Sequence, residues 1–385
     1  MNHNFYLLFT VHFLIAAPLC TAMENTLPTA QAKIITTLTG ITRPKSVVCL
    51  SDKTIALLSH EGCSIRDFFT DKEIINFPIT SPRDLYITAH HNRKTLALCH
   101  GKIVDIYDVA TKEKISKTDL QEWKVAPIFN SGINDTILVG TDKHIHSIKY
   151  KNNSRTSHLL NFLSVTKTME FHPTKQEFAV LTNRNDVAIL QLDTDLFCKK
   201  SIGYNEFCWN HKYSPDGSLI AVNNASVDAI VNPETGTHDF LVHSRNRGYN
   251  NGMAFDPTSF ILAVLYGDYR DLIYFWNVQK NQLITIIRFP ASPERPYNEA
   301  LSYKYNQYLA FSCNGKELIV VHHDKTLVIE TPFEVRFQPE TKDKAISALY
   351  GLQQYRHDTN MLPQELIDLL IQTFLKTSQY SLTNY

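Results

Sequence analysis

The sequence predicts an all-β fold: a seven-bladed β-propeller closed by an N-terminal strand, with a short C-terminal α-helical appendage. Three observations carry this expectation. At Tyr213-Ser214-Pro215-Asp216-Gly217 a strand end runs into a turn in which Pro presets φ and Gly tolerates φ > 0, and the apolar run Leu219-Ile220-Ala221-Val222 follows, as in a hairpin. The same event begins at Thr54, Thr95, Thr136, Glu177, Ser218 and Ser259, each 41 residues after the last, with a seventh copy at Glu317 after a gap of 58. A repeat of this length that contains strands and turns cannot bury both faces of its own sheet, so the copies must pack on one another around an axis.

The third observation is at the two ends of the array. Residues 32–39 (AKIITTLT) form a strand that stands before the first full repeat, while the copy beginning near Tyr308 supplies only three strands before the pattern stops. The missing fourth strand can come from the N-terminal one, which places Ile34 and Ile35 beside Val328 and its neighbours and leaves no open seam. Between the ends each repeat supplies strands in the order first, second, third, fourth. Blade one, for example, consists of PKSVVCL, TIALLSH, SIRDFF and EIINFPI. Second strands are almost wholly apolar, as expected where neighbouring blades cover both faces, first strands face the channel, and third strands are expected to alternate. The extra residues of the last interval fall at 290–306, in a Pro- and Tyr-rich loop.

Three segments follow: 1–22, 32–337 and 338–385. The first has an apolar stretch from Phe5 to Leu19 and then Cys20-Thr21-Ala22, which predicts a signal peptide and an exported, secreted or periplasmic chain with no stable membrane span after cleavage. Leu19 is larger than the small residue that precedes the cysteine of a lipoprotein site. The cysteines left after removal, Cys49, Cys63, Cys99, Cys198, Cys208 and Cys313, lack Cys-x-x-Cys spacing and are expected as buried free thiols. In the last segment, Leu366, Leu369, Leu370 and Phe374 share one face of a helix opened by Pro363, with Glu365 in its first turn. Such a helix is expected to pack on the side or base of the ring.

The turns Tyr213-Ser214-Pro215-Asp216-Gly217, Phe171-His172-Pro173 and Phe255-Asp256-Pro257, with Tyr107-Asp108 and Trp276-Asn277 ending third strands, resemble those of the WD-repeat propellers over roughly 32–337. No repeat carries the Gly-His and Trp-Asp pairs of that family, and quinoprotein-like or other seven-bladed propellers share the architecture. The Leu362-Pro363-x-Glu365-Leu366 start is similar to F-box motifs, and the order helix, Leu-Pro, helix behind a propeller resembles a SOCS box. These resemblances imply a scaffold and, in the second case, an adaptor that recruits a partner through its C-terminal helices.

Lys+Arg and Asp+Glu each number 38, so the chain lacks the positive excess that nucleic acid rewards, and no nucleic-acid partner is expected. No Gly-x-Ser-x-Gly elbow, P-loop or dinucleotide fingerprint occurs. His90-His91, His322-His323 and His144/His146 come without a carboxylate or Cys at ligand spacing, so turn and strand-edge roles are expected, with no metal, cofactor or catalytic residue. Asp108 and Asp193 are expected to bond turn backbone. The candidate site is therefore a binding face. The connections from fourth to first strands carry Arg43, Arg83, Trp123, Tyr204, Arg245, Arg247 and Tyr249; one turn of blade six adds Tyr269 and Arg270, and the inserted loop adds Arg295 and Tyr297. In the repeat register all project from one face, and Trp, Tyr and Arg dominate binding hot spots. The expected partner is a protein or peptide held by a monomeric, non-enzymatic ring. The alternative is an exported propeller enzyme of lactonase, quinoprotein or glycan-processing type, with its site at the channel mouth.

Overall fold

A computed structural model of the chain describes residues 29–41, 44–79, 85–90, 92–120, 124–129, 135–141, 144–152, 154–159, 165–182, 186–191, 197–203, 208–224, 228–241, 252–266, 272–288, 308–322, 325–335 and 380–382. These residues form seven antiparallel blades and hold no helix. Blade one is Ser46–Cys49, Thr54–Leu58, Gly62–Asp67 and Lys72–Pro78; blade two is Tyr86–Ala89, Thr95–His100, Ile103–Asp108 and Lys114–Asp119. Blade three is Lys124–Phe129, Thr136–Thr141, His144–Lys149 and Ser154–Leu159; blade four is Val165–Phe171, Glu177–Thr182, Val187–Gln191 and Phe197–Ile202. Blade five is Cys208–Tyr213, Ile220–Asn224, Asp228–Val231 and His238–Leu241; blade six is Met253–Phe255, Ile261–Tyr266, Leu272–Asn277 and Gln282–Arg288. Blade seven takes Tyr308–Phe311, Glu317–His322 and Lys325–Glu330 from the C-terminal side and Ile34–Leu38 from the N-terminal side.

First strands touch their neighbours all the way round, blade seven against blade one included, so the ring is closed. The expected exchange of strands makes that closure. Ile34–Leu38 runs antiparallel to Lys325–Glu330, with Ile34 opposite Ile329, Thr36 opposite Val328 and Leu38 opposite Thr326. Leu38 points into a cluster with Val47, Ile55, Leu57, Phe68, Ile319 and Val328, which belong to blades one and seven. The other six apolar clusters among the described residues likewise each straddle one seam between adjacent blades. Each seam thus buries apolar surface from both sides, and a buried Leu, Ile or Phe contributes about 1.5–3 kcal/mol.

That two-sided cover corrects the expected alternation of third strands. Asp228–Val231 is buried throughout, and Gly62–Asp67 and Leu272–Asn277 are buried except at their last residue. Second and third strands both lie in the middle of a wedge, so neither has a solvent face. The pattern moves to the rim, where Lys114–Asp119 mixes exposed and covered positions.

Two further strands join the ring. Thr29–Gln31 pairs in parallel with the outer strand of blade six, Thr29 opposite Ile286 and Gln31 opposite Arg288, and the Ala32 amide donates to the Arg288 carbonyl at 2.9 Å. The N-terminal chain therefore stitches blade six to blade seven before it completes the latter. Tyr380–Leu382 pairs with Phe333–Val335, directly after blade seven. The helix expected over 363–376 lies outside the described residues, as do the signal peptide and Asp193.

A clasp locks the exchanged strand from the other side of its seam. Asp71, in the turn between the third and fourth strands of blade one, accepts hydrogen bonds from the Thr39 amide at 2.9 Å and the Thr39 hydroxyl at 2.6 Å. Arg66 donates to the Thr39 carbonyl at 2.7 Å and forms an ion pair with Asp71, while its Nε donates to Ser64 Oγ at 3.1 Å.

Candidate functional site

Antiparallel order fixes which strand ends share a side of the wheel. Connections from second to third and from fourth to first strands join ends on one side; the remaining turns join ends on the other. Within the seven blades the two longest connections, 242–252 and 289–307, both join ends on the former side. All eleven residues chosen from the sequence (Arg43, Arg83, Trp123, Tyr204, Arg245, Arg247, Tyr249, Tyr269, Arg270, Arg295 and Tyr297) lie outside the described residues.

What is described is the floor on which those connections stand. At or near the end of the second strand, blades one to five place Ser59, His100, Thr141, Thr182 and Asn223, all buried. Each holds the turn that follows. Ser59 Oγ donates to the Gly62 carbonyl at 3.3 Å, Thr141 Oγ1 to the His144 carbonyl at 3.0 Å, and Asn223 Nδ2 to Asp228 Oδ1 at 2.6 Å; Thr182 Oγ1 accepts from the Asp186 amide at 3.3 Å. A buried strand end must satisfy its polar groups internally, and a short polar side chain there does so.

Blade two uses ionisable groups for the same purpose. His100 Nε2 and Lys114 Nζ both lie 2.9 Å from Asp105 Oδ2. Burial pushes the Asp105 carboxyl up, but the hydrogen bonds from His100 and Lys114 together outweigh it and hold the group below its ordinary value. A His-Asp pair can orient a general base. Here His100 is 1% exposed and Asp105 3%, so a substrate atom has no approach and the cluster serves the blade.

The opposite side repeats the device at one position. His90, His172, Ser214, Asp256 and Ser312 are all buried at the start of the turn between first and second strands. His90 Nδ1 accepts from the Asn92 amide at 3.2 Å, and His172 Nδ1 from the amides of Thr174 and Lys175 at 3.1 and 3.0 Å. Ser214 Oγ accepts from Leu219, Asp256 Oδ1 from Thr258, and Ser312 Oγ from Glu317. Glycines of the next blade pack onto two of these residues: Gly217 (φ +76) on His172, and Gly315 (φ +73) on Asp256. The Pro-Asp-Gly turn of blade five closes as expected, with the Gly217 amide donating to the Ser214 carbonyl at 2.9 Å.

The seam between blades four and five also holds buried polar groups. Glu170 Oε2 accepts from the Tyr213 amide at 2.8 Å, and Lys212 Nζ stands 3.4 Å from Oε1. His211 lies between Thr168 Oγ1, 2.9 Å from Nδ1, and the Ala179 carbonyl, 3.1 Å from Nε2. A carbonyl only accepts, so Nε2 carries the proton and Nδ1 accepts from the threonine. Burial, with the Lys212 charge beside it, lowers the His211 pKa to about 4 and keeps the ring neutral. Burial also raises Glu170, against the pull of Lys212 and the Tyr213 amide.

His90 and His146 are thus structural groups. His146 accepts at Nδ1 from Arg155 Nε at 3.3 Å, lies 2.9 Å from Ser157 Oγ, and stacks on His144. Asp108 bonds turn backbone as expected, accepting from the Ala110 and Thr111 amides at 2.8 Å each. Among the described residues no three His, Cys, Asp or Glu side chains are grouped to hold a metal ion. Cys63 and Cys99 are buried thiols, and Cys49 and Cys313 are half-buried thiols. Sequence reasoning missed the two sets of buried polar residues, although their signal was a polar side chain recurring at one phase of the repeat. No protein-family model matches the chain, and no curated protein matches it either.

Proposed function

We propose that this propeller is an exported, non-enzymatic, WD-like scaffold that binds a protein or peptide on the side carrying 242–252 and 289–307. The observation that carries the reading is the asymmetry of the wheel. Within the seven blades the two longest connections both join strand ends on one side, whereas the described turns of the other side are short. Binding sites concentrate on connections that a rigid scaffold positions. Those connections hold Arg245, Arg247, Tyr249, Arg295 and Tyr297, the residue types that anchor interfaces. The described ionisable clusters support the non-enzymatic part of the reading, since His100, Asp105, His172 and His211 are all committed to turns and seams.

The test is capture of partners from the native compartment by the mature chain, compared with the Tyr249→Ala/Tyr297→Ala double variant. Loss of one or more captured proteins is expected. Identical capture by a variant with an unchanged melting profile overturns the reading. The intact mass of the exported chain checks removal of residues 1–22, and an uncleaved, cell-retained chain refutes export.

A further inference from the structure

Every large hydrophobic side chain that is exposed among the described residues lies on the rim of three consecutive blades: Ile34 and Ile35 on blade seven, Phe69 and Ile74 on blade one, Ile115 on blade two. Three of the five share one cause. In the outer strand of blade seven the pairing steps from Ile34 opposite Ile329 to Thr36 opposite Val328 and skips Ile35. In blade one it steps from Glu73 to Ile75 and skips Ile74, and in blade two from Lys114 to Ser116 and skips Ile115. Each is a β-bulge whose extra residue is isoleucine. Bulges re-aim a side chain, and on an edge strand they also discourage pairing with another strand. The second effect requires no apolar residue; a lysine would serve it better. The isoleucines therefore call for cover by something that presents side chains rather than a strand edge.

We propose that the segment 363–376 of this same chain docks as a helix on the bulged rim of blades seven and one, its Leu366, Leu369, Leu370 and Phe374 face against Ile35, Phe69 and Ile74. The place where the chain leaves and re-enters the described wheel supports this. Residues 336–379 begin after Phe333–Val335 and return at Tyr380–Leu382, which pairs with that same strand, so both ends of the segment are tied at one point. That point belongs to blade seven, since Thr331 Oγ1 donates to the Gly315 carbonyl at 2.9 Å just before it. Blade seven's outer strand is Ile34–Leu38, and the clasp of Thr39 to Asp71 brings blade one's turn and Phe69 alongside. A fourteen-residue helix is about 21 Å long, enough to lie across two neighbouring blade edges. Its Glu365 and Asp368 suit Lys72 and Lys117, which are exposed on the same rim.

The test uses the full mature chain with Ile74→Cys, labelled by a small maleimide and read by peptide mass spectrometry at that site. Labelling is expected to be about ten-fold slower than in the same chain carrying Leu366→Ser, Leu369→Ser and Phe374→Ser, because a docked helix that is closed most of the time protects the rim. A cysteine at Lys151, exposed in a turn of blade three and so on neither blade of the proposed site, reports whether both chains are folded alike and is expected to react equally. Equal rates at Ile74→Cys overturn the proposal. So does protection that appears only as chain concentration rises, which assigns the rim to a second copy.

Discussion

The imidazole of His172 lies against Gly217 of the next blade, in the space that a Cβ at residue 217 would occupy. Gly217 also sits at φ +76, a conformation that costs an L-residue about 1–2 kcal/mol. Gly217→Ala is therefore expected to lose about 2–4 kcal/mol, strain and overpacking together. Adding His172→Ala should recover only the packing part, so the two changes will be non-additive in urea unfolding. Full additivity would show that the histidine and the glycine are not in contact.

Asp71 joins two pieces of chain that are distant in sequence, since it holds Thr39 and neutralises Arg66. Arg66 is only 9% exposed, so Asp71→Ala leaves a mostly buried cation with only the Glu73 carboxylate, 3.8 Å away, at a cost of about 2–3 kcal/mol. Asp71→Asn keeps one acceptor for Thr39 and should cost less. Hydrogen exchange will locate the damage: the amides of Ile34–Leu38 are expected to open before the rest of the wheel in the alanine variant. Uniform loss of protection over all blades would mean that the clasp does not act on the exchanged strand.

Leu38 is 5% exposed and fills the seam between blades seven and one from the N-terminal strand. Leu38→Ala should cost about 2–5 kcal/mol through lost burial and the cavity left behind. Thr37→Ala on the exposed phase of the same strand should fall within about 0.5 kcal/mol of the parent. Similar losses at the two positions, measured by thermal unfolding, would contradict the register of Ile34–Leu38 against Lys325–Glu330.

The wheel was legible because its spacing is a global signal: a hairpin every 41 residues fixes the number of wedges, and the three-strand last copy fixes where the N-terminal strand goes. The backbone repeats the same number, with Phe68, Val109 and Tyr150 each donating to the carbonyl of Lys53, Lys94 and Asp135 in turn. Features set by neighbours rather than by period were hidden. Third strands lost their alternation because adjacent blades cover them on both sides. Thr29–Gln31 gives no strand signal of its own and exists by pairing with the edge of blade six. Ile74 and Ile115 read as ordinary strand residues, since a bulge is a matter of register and not of composition. As for the proposed binding face, the phase of the repeat assigns its residues to connections in the sequence, and no periodic rule determines how such connections are arranged.

His211 provides a pH test of the polar seam between blades four and five. Its ring is neutral in the folded ring, with a pKa near 4 against 6.5 in the unfolded chain, so the unfolded state binds the extra proton between those values. Stability from this group is present above about pH 6.5 and falls as pH drops toward 4, by about 2 kcal/mol between pH 7 and pH 5. Glu170 acts in the opposite sense: its raised pKa makes folding take up a proton just above pH 4.5, so its share of stability is lost as pH rises. The two groups act in opposite senses, and a substitution separates them. His211→Gln is expected to flatten the urea midpoint between pH 7 and pH 5, while Glu170→Gln keeps the histidine's contribution and removes the opposing one. An unchanged slope in His211→Gln would mean that the ring is already charged or solvated in the native seam.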